Sequence, residues 1–584
     1  MRWRLPIALA LVACLYGCHV RLKTAKIFAN PTWDWQEEVG QFWSEFAFHY
    51  RFAKFFAEHP PRDWGLLTHD RRVQHPDEVN DWAEFTIAME VPAGVSYRWW
   101  KPALPFHVWV VWYDCLVSSL SLFAIFFLAR ELWRSHLAGL MASVLYAGLY
   151  PSYGRTVKNL FLKEDFAIPL IVLAVWLTVR MLREGAPGGR ALPQIVAGLV
   201  WLAALASWHL TQFVLAVGVG AAVLVYLGKG ETPRRPWFVV VLAAGAVLVP
   251  VLRAKQFYLS PTMCGLYALS LAVWVNGGRK KAFAVFVGSA AVLVTLGWLL
   301  QKSYGEYAHV YQLFFYKLRY LGVKPADPAR LPWEARCLWE GAFETAGRCE
   351  WWRSLMWCGP LAAVGLWKVG RMEDWGVAAR VFAVFTLLLV PLSWMVVRYF
   401  TFLGWAAAVM AAGVVAWPAN PLRPGRAFLR RWAVAALAVW QLTRLDFQPL
   451  DRASVAPAES REAVNWINDH TPTNAVVLAS IAESPVFLTH TGRPIILHSK
   501  FENREIRERY RQFLEAAYGG EETLAAFCRQ SGADYFVWDA GFLTADRRYK
   551  AGVAGEPTAL PAGDGPFRLE MSNSRLAVFR VLKE

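Results

Sequence analysis

Apolar and polar residues follow one another along this chain in long blocks. Runs of Leu, Val, Ala, Ile, Phe and Trp recur, and short clusters of Arg, Lys, Pro or Gly close most of them. A helix that crosses a bilayer needs ~20 mostly apolar residues. Thirteen segments approach that standard, near 5–20, 106–129, 136–151, 165–182, 193–209, 211–228, 237–253, 260–276, 282–300, 354–369, 377–396, 399–417 and 432–446. The pattern predicts a polytopic α-helical membrane protein with about 13 transmembrane helices. Three polar stretches interrupt it: loops near 21–104 and 301–353, and a tail over 447–584.

These stretches carry patterns of their own. In the first loop, WSEFAFHYRFAKFFAEH (Trp43–His59) has aromatic residues at helical spacing and is expected to form an amphipathic helix, for which the outer membrane interface is one available place. After a linker at Asp451–Pro457, the tail alternates helix and strand signals. AESREAVNWINDH, ENREIRERYRQFLEAAY and EETLAAFCRQSG read as helices, while AVVLAS, RPIILH, DYFVWD and RLAVFRVL read as strands. A small α/β domain with a partly parallel sheet is predicted. It holds neither a Gly-rich phosphate loop nor a nucleophile elbow. The chain therefore divides into a membrane domain, 1–446, and an α/β domain, 447–584.

Charge fixes the expected orientation. The formal net charge of +16 would fit a polyanionic partner, but its distribution argues for topology instead. With the N-terminus in the cytoplasm, every second turn collects cations: Arg130 and Arg134, Arg183 and Arg190, Lys229 with Arg234 and Arg235, Arg279 to Lys281, Lys368 and Arg371, and Arg423 to Arg431. That is the positive-inside pattern, so no nucleic-acid partner is expected. Both large loops and the tail then lie outside the cytoplasm. The first residues, MRWRLPIALALVACLYGC, resemble a signal sequence or signal anchor. Eight cysteines show no metal-ligand spacing, and Cys337 and Cys349 are expected to be unpaired.

The candidate chemistry gathers on the outer side. RTVKNLFLKEDFAIP (Arg155–Pro169) places Arg155, Lys158, Lys163, Glu164 and Asp165 at the head of an apolar segment, where ionisable groups are costly. Glu164 and Asp165 are also where acids would oppose a helix dipole. Glu45 leads the acids, because its aromatic surroundings would raise a carboxyl's pKa on burial. Asp34, Glu37 and Glu38 are its rivals, and the polar face of an amphipathic helix is its bland explanation. Arg398 interrupts an apolar stretch at a span's outer end, and either snorkels or serves a site. His209 fits a helix–helix hydrogen bond. Glu334, Glu340 and Glu344 are candidates to cover a site, while Lys500, Glu502 and Arg504 read as surface charges. Cations and carboxylates at an outer membrane surface suit group transfer from a lipid-linked phosphate. Arg holds the departing phosphate and a carboxylate takes a proton or steadies a developing cation.

Four blocks resemble the tryptophan C-mannosyltransferase, or dumpy-nineteen-like, family within the GT-C membrane glycosyltransferases related to the oligosaccharyltransferase catalytic subunit. They are EFAFHYRFAK through YRWW (45–100), RTVKNLFLKEDFAIPLIVL (155–173), WHLTQFVL (208–215), and most of the tail from VNWINDHTPTNAVV through TGRPIILHSKFE to AVFRVLKE. The resemblance implies an inverting hexosyltransferase that moves mannose from a polyprenyl-phosphate donor to a polypeptide tryptophan. It implies Glu45 as catalytic base or stabiliser, Arg155 at the donor phosphate, and Lys163 with Glu164 as a supporting cation–acid pair. Arg398, read from its place at a span's outer end, joins Arg155 and Lys163 as a donor-phosphate candidate. Glu164 and, as a neighbour of Glu45 in the sequence, His49 are the expected supporting residues. A divalent metal is allowed but not required, no protein metal site is expected, and membrane lipids complete the partners. Two features depart from the oligosaccharyltransferases: the second block lacks their Asp-x-Asp arrangement, and ASIAES replaces their sequon-reading Trp-Trp-Asp-Tyr-Gly. The alternative is transfer to another protein residue, lipid or glycan.

Overall fold

The computed structural model describes residues 4–25, 36–154, 161–183, 191–229, 237–275, 278–300, 307–371, 376–417, 424–443, 457–539, 545–552 and 565–583. Each of the thirteen apolar segments carries helix. Among the described residues, four helices are long and apolar enough to cross a membrane: Phe106–Trp133, Lys163–Arg183, Gly278–Leu300 and Val377–Met395. The remaining apolar helices, such as His136–Ala147 and Ala191–Ser207, are shorter. The coarse expectation of a multi-pass helical membrane protein therefore stands. Helix Gly278–Leu300 leaves Phe283, Val292, Trp298 and Leu299 more than half exposed. Such a surface suits hydrocarbon, since water would penalise it by ~25 cal/mol per Å².

Helix Phe106–Trp133 is central. It packs against Lys163–Arg183, His136–Ala147 and Arg4–Ala25. Helix Thr211–Lys229 lies along Val377–Met395, and Cys358–Arg371 along Phe400–Ala412.

The tail forms a four-stranded sheet, with β3 (Val477–Leu478), β4 (Tyr535–Asp539), β5 (Phe567–Ser572) and β6 (Leu576–Val581) in the order β3-β4-β6-β5. The β3–β4 pairing is parallel and the others antiparallel, as a partly parallel sheet requires. RPIILH departs from expectation, because it forms only a bridge from Ile495 to Val477. Its backbone turns to the first loop instead: Ile495 N donates to Arg72 O at 2.8 Å and His75 N donates to Ile495 O at 2.8 Å. Strand β5 and helix Ser484–Thr491 were not read from the sequence. The first is punctuated by exposed charges, and the second is too short to show a period. Most of the expected linker, 451–456, lies outside the described residues.

The amphipathic helix of the first loop is real, but its place differs. Helix Ser44–Glu58 turns its aromatic face into the protein. It is covered by helix Glu90–Trp100 and by Ser484–Thr491 of the tail. Gly94 permits the first contact, since a Cβ there would lie 2.3 Å from Ala53 O. Phe48, Phe52 and Phe56 are fully buried with Phe85, Leu488 and Ile495. A second core joins Tyr50 and Ala53 of the loop, Val108 and Val111 of the membrane helix, and Val464, Val477 and Val578 of the tail. Loop and tail thus share their hydrophobic interior. Cys337 and Cys349 are free thiols, one buried and one exposed.

Candidate active site

Glu45 stands in the first turn of helix Ser44–Glu58. Ser44 beside it adopts φ of 52°, and its N–H donates to Ala482 O of the tail at 2.9 Å. Left-handed backbone at a serine costs about 1–2 kcal/mol, so the tail contact holds the helix start in place. His49 follows one turn later, with Nε2 3.5 Å from Glu45 Oε1. Glu45 is 30% exposed, whereas His49 is 1% exposed.

The nearest cation to Glu45 is Lys500, which donates to Glu45 Oε1. Its Nζ also lies 2.8 Å from His49 Nε2. Lys500 is 2% exposed, which corrects its reading as a surface charge. A clamp built by the first loop holds it there. β1 (Asp70–Gln74) and β2 (Asp77–Val79) form a hairpin whose Gln74 Oε1 accepts from Asn503 Nδ2 at 3.2 Å. Arg509 donates to His75 O at 2.8 Å. Asn503 in turn caps helix Arg504–Tyr518, its Oδ1 accepting from Ile506 N at 3.1 Å.

Electrostatics sharpen the picture. Burial would raise Glu45, but the Lys500 charge, helped by Arg398, outweighs it. Its carboxyl is held well below the ordinary range, opposite to the sequence expectation. Glu502 behaves likewise: against its own desolvation, Lys500, His209 and Lys163 hold it at about 2. Glu90 is 0% exposed and binds His49 Nδ1 through Oε1.

The membrane-boundary residues complete the site. Lys163 opens helix Lys163–Arg183, is 4% exposed and donates to Thr86 Oγ1. Glu164 Oε1 accepts from Arg398 Nε at 3.0 Å and from Nη2 at 2.7 Å. Arg398 is therefore no snorkelling residue. It sits in a tight turn whose Val397 N donates to Glu344 O at 3.0 Å, with its guanidinium over Trp208 at 5.3 Å. Asp165 keeps its first-turn position but is 1% exposed and lies against Asp114 of helix Phe106–Trp133. Of the expected site residues, the fold brings together Glu45, His49, Lys163, Glu164 and Arg398. Arg155 and Lys158 lie outside the described residues.

The rival acids are engaged elsewhere. Glu38 pairs with Lys54 at 2.9 Å and Glu37 with Arg461 at 3.5 Å, while Asp34 lies outside the described residues. His209 makes its hydrogen bond with Tyr307, at 3.2 Å. These two residues, Gln212 and Lys255 line an adjoining cleft. Among the described residues, no three His, Cys, Asp or Glu converge as a metal-holding group.

The family model described as Dpy19: Q-cell neuroblast polarisation matches residues 11–310, just over half of the chain. The chain belongs to the Dpy19 family. No curated protein matches it. Among solved structures, the Archaeoglobus fulgidus oligosaccharyltransferase tethered with an acceptor peptide containing the NVT sequon is similar at 12% identity. The match covers 94% of this chain and 71% of that one, with a TM-score of 0.60. Archaeal oligosaccharyltransferase AglB from the same organism, in complex with an inhibitory peptide and a dolichol-phosphate, matches with a TM-score of 0.63 at the same identity and coverage. At that identity the likeness is one of fold. This Dpy19 protein therefore shares its fold with the archaeal oligosaccharyltransferases. ASIAES, noted in the sequence as standing in place of a sequon reader, follows β3 and leads into helix Ser484–Thr491, with Ala482 O accepting from Ser44 N.

Three residues of the site escaped sequence reasoning: Lys500, Glu502 and Glu90. A signal existed for the first two, since TGRPIILHSKFE is one of the family-like blocks. Nothing distinguished Glu90 from an ordinary loop acid.

Proposed function

We propose that this Dpy19 protein transfers mannose from a polyprenyl monophosphate to carbon 2 of a tryptophan indole in a polypeptide. The observation that carries the proposal is a carboxylate, Glu45, kept ionised on an accessible wall by Lys500 and facing a boundary rich in cations. The archaeal relative with bound dolichol-phosphate supports a lipid-phosphate donor.

In this reading, the indole attacks the anomeric carbon from the face opposite the phosphate. The bond to phosphate breaks with its electron pair, leaving a cationic ring and inverted configuration. Lys163 and Arg155, with Arg398 behind Glu164, offset the charge gathering on the phosphate. Glu45 steadies the ring cation and removes its proton, and the pair returns to the ring. A depressed carboxyl is a weak base. A ring cation is strongly acidic, so a weak base suffices, and permanent negative charge is the greater need. A monophosphate leaving group among several side-chain cations makes a metal optional.

The membrane arrangement we propose from the charge pattern has about thirteen spans over 1–446, the N-terminus in the cytoplasm, and the α/β domain 447–584 with both large loops outside it. The test is to incubate purified protein with polyprenyl-phosphate-mannose and a Trp-x-x-Trp peptide. A hexose on tryptophan, lost in Glu45→Gln, is expected. Transfer to another acceptor with tryptophan unmodified would overturn the acceptor assignment, and unimpaired Glu45→Gln would overturn the catalytic one.

A further inference from the structure

Between Glu45 and the protein interior runs a continuous line of polar side chains. Lys500 Nζ bonds Glu45 Oε1 and lies 2.8 Å from His49 Nε2, and His49 Nδ1 bonds Glu90 Oε1. His49, Glu90 and Lys500 are at most 2% exposed. Partners fix the tautomer. A carboxylate only accepts, so Nδ1 carries the proton, and Nε2 is left as an acceptor for the Lys500 ammonium. The line therefore has a direction, from the cleft inward. Its last atom, Glu90 Oε2, is buried and has no hydrogen-bond partner among the described residues. Leaving a buried acceptor unmatched costs on the order of 1–3 kcal/mol, more for a charged group. A brace needing only to orient His49 would be served by a neutral acceptor, without that cost.

We propose that this line is a proton relay: the proton that Glu45 removes from the acceptor passes through Lys500 and His49 and is stored on Glu90. This rests on the reading of Glu45 above. The transfers balance without any redox partner. Lys500 gives one N–H proton to His49 Nε2 and receives the Glu45 proton in its place. His49 releases its Nδ1 proton to Glu90 Oε1. Glu45 is again a carboxylate, Lys500 again an ammonium, His49 is neutral as its other tautomer, and Glu90 has become a neutral acid. The reverse passage resets the line once product has left. Other charges face it: Arg398 acts on Glu45, Lys163 lies within the field of Glu90 and Lys500, and Glu502 within that of Lys500. Of the fixed cations, Arg398 lies on the Glu45 side and favours movement of a proton away from the cleft.

A relay and a brace differ in which turnover they affect. Glu90→Gln keeps an acceptor for His49 Nδ1 but cannot take its proton. Pre-steady-state transfer to the peptide should then show a burst of about one product per enzyme, followed by steady turnover at least tenfold slower than native. Glu90→Asp should recover much of the steady rate. A native steady rate in Glu90→Gln, or a first turnover slowed as much as later ones, would overturn the relay. If Glu90→Gln does not fold, His49→Asn is judged by the same burst. Glu45→Gln in the same assay separates the two claims. If it transfers normally, the reading of Glu45 fails; if it is inactive while Glu90→Gln turns over as native, only the relay fails.

Discussion

Replacing Lys500 with glutamine removes the cation nearest to Glu45 while keeping a polar side chain of similar length. In the native protein the ammonium contacts Glu45 Oε1, His49 Nε2 stands 3.5 Å away, and Arg398 adds its field. Two unit charges about 3 Å apart at an effective dielectric of ~20 interact by roughly 5 kcal/mol. Desolvation of Lys500 offsets part of this. Glu45 is 30% exposed to the cleft, so solvent screens more of it. An opposite charge at such range typically lowers a carboxyl by ~1–3 units, and the lower half of that range applies here. The sign follows from the depressed native value. Glu45 is ionised down to low pH, and the stability its ion pair contributes is present above the unfolded carboxyl pKa and lost as pH falls through the folded one.

The assay is single-turnover transfer to peptide as a function of pH, since a first turnover does not depend on resetting Glu45. For native protein, the acid limb of the profile should lie below the ordinary carboxylate range. In Lys500→Gln it should move up by about 1–2 pH units, with the plateau at neutral pH changed far less. An acid limb that stays in place while Lys500→Gln remains folded would refute the claim that Lys500 sets the charge state of Glu45. A shift in the opposite direction would refute it as well.

Glu164→Gln should destabilise the protein by ~3–5 kcal/mol, read as a lowered Tm in detergent, because it leaves the Arg398 guanidinium without its buried carboxylate. Adding Arg398→Gln should recover part of that loss, and additive losses would count against a coupled pair. Gly94→Ala should cost ~1–3 kcal/mol, since its Cβ would fall 2.3 Å from Ala53 O and push away the helix that carries Glu45. Transfer should fall with it, while membrane insertion, measured by fractionation, stays native. Arg155→Ala should weaken binding of the lipid-phosphate donor and leave the peptide KM nearly unchanged, and unaltered donor affinity would remove Arg155 from the phosphate site.

The membrane helices were legible because a bilayer imposes one rule on every span, and long apolar runs state it without reference to neighbours. The local charges at Lys163 and Glu164 were legible for the same reason, standing out against an apolar background. Expectations failed where a residue's meaning depended on a distant partner. Lys500 reads as a surface lysine in HSKFENRE, and only the approach of Glu45, 455 positions away, makes it a buried one. The pKa direction of Glu45 followed the same course: aromatic neighbours in sequence predict a raised value, and a tail cation reverses it. RPIILH was a strand by pattern, yet its backbone hydrogen bonds go to the first loop as well as to the sheet, so it became a seam between the two.

That seam bears on how the site works as a unit. Lys163, Glu164 and Arg398 stand at the ends of membrane helices and are fixed by the helix bundle. Glu45, His49, Glu90 and Lys500 are fixed by the first loop and the tail, which share buried residues such as Phe48, Phe85, Leu488 and Ile495. In the proposed reaction the first group meets the lipid phosphate and the second handles the acceptor's charge and proton. The two supports join through the core that holds Tyr50, Val108, Val111 and Val578 together. Buried cores resist deformation, so this junction fixes the distance between donor and acceptor groups more firmly than any hydrogen bond in the cleft. Misplacing reacting groups by ~1 Å can cost a hundredfold in rate. A loop with its own separate core could drift by that much, whereas one that shares its core with a membrane helix and with the tail is held to both.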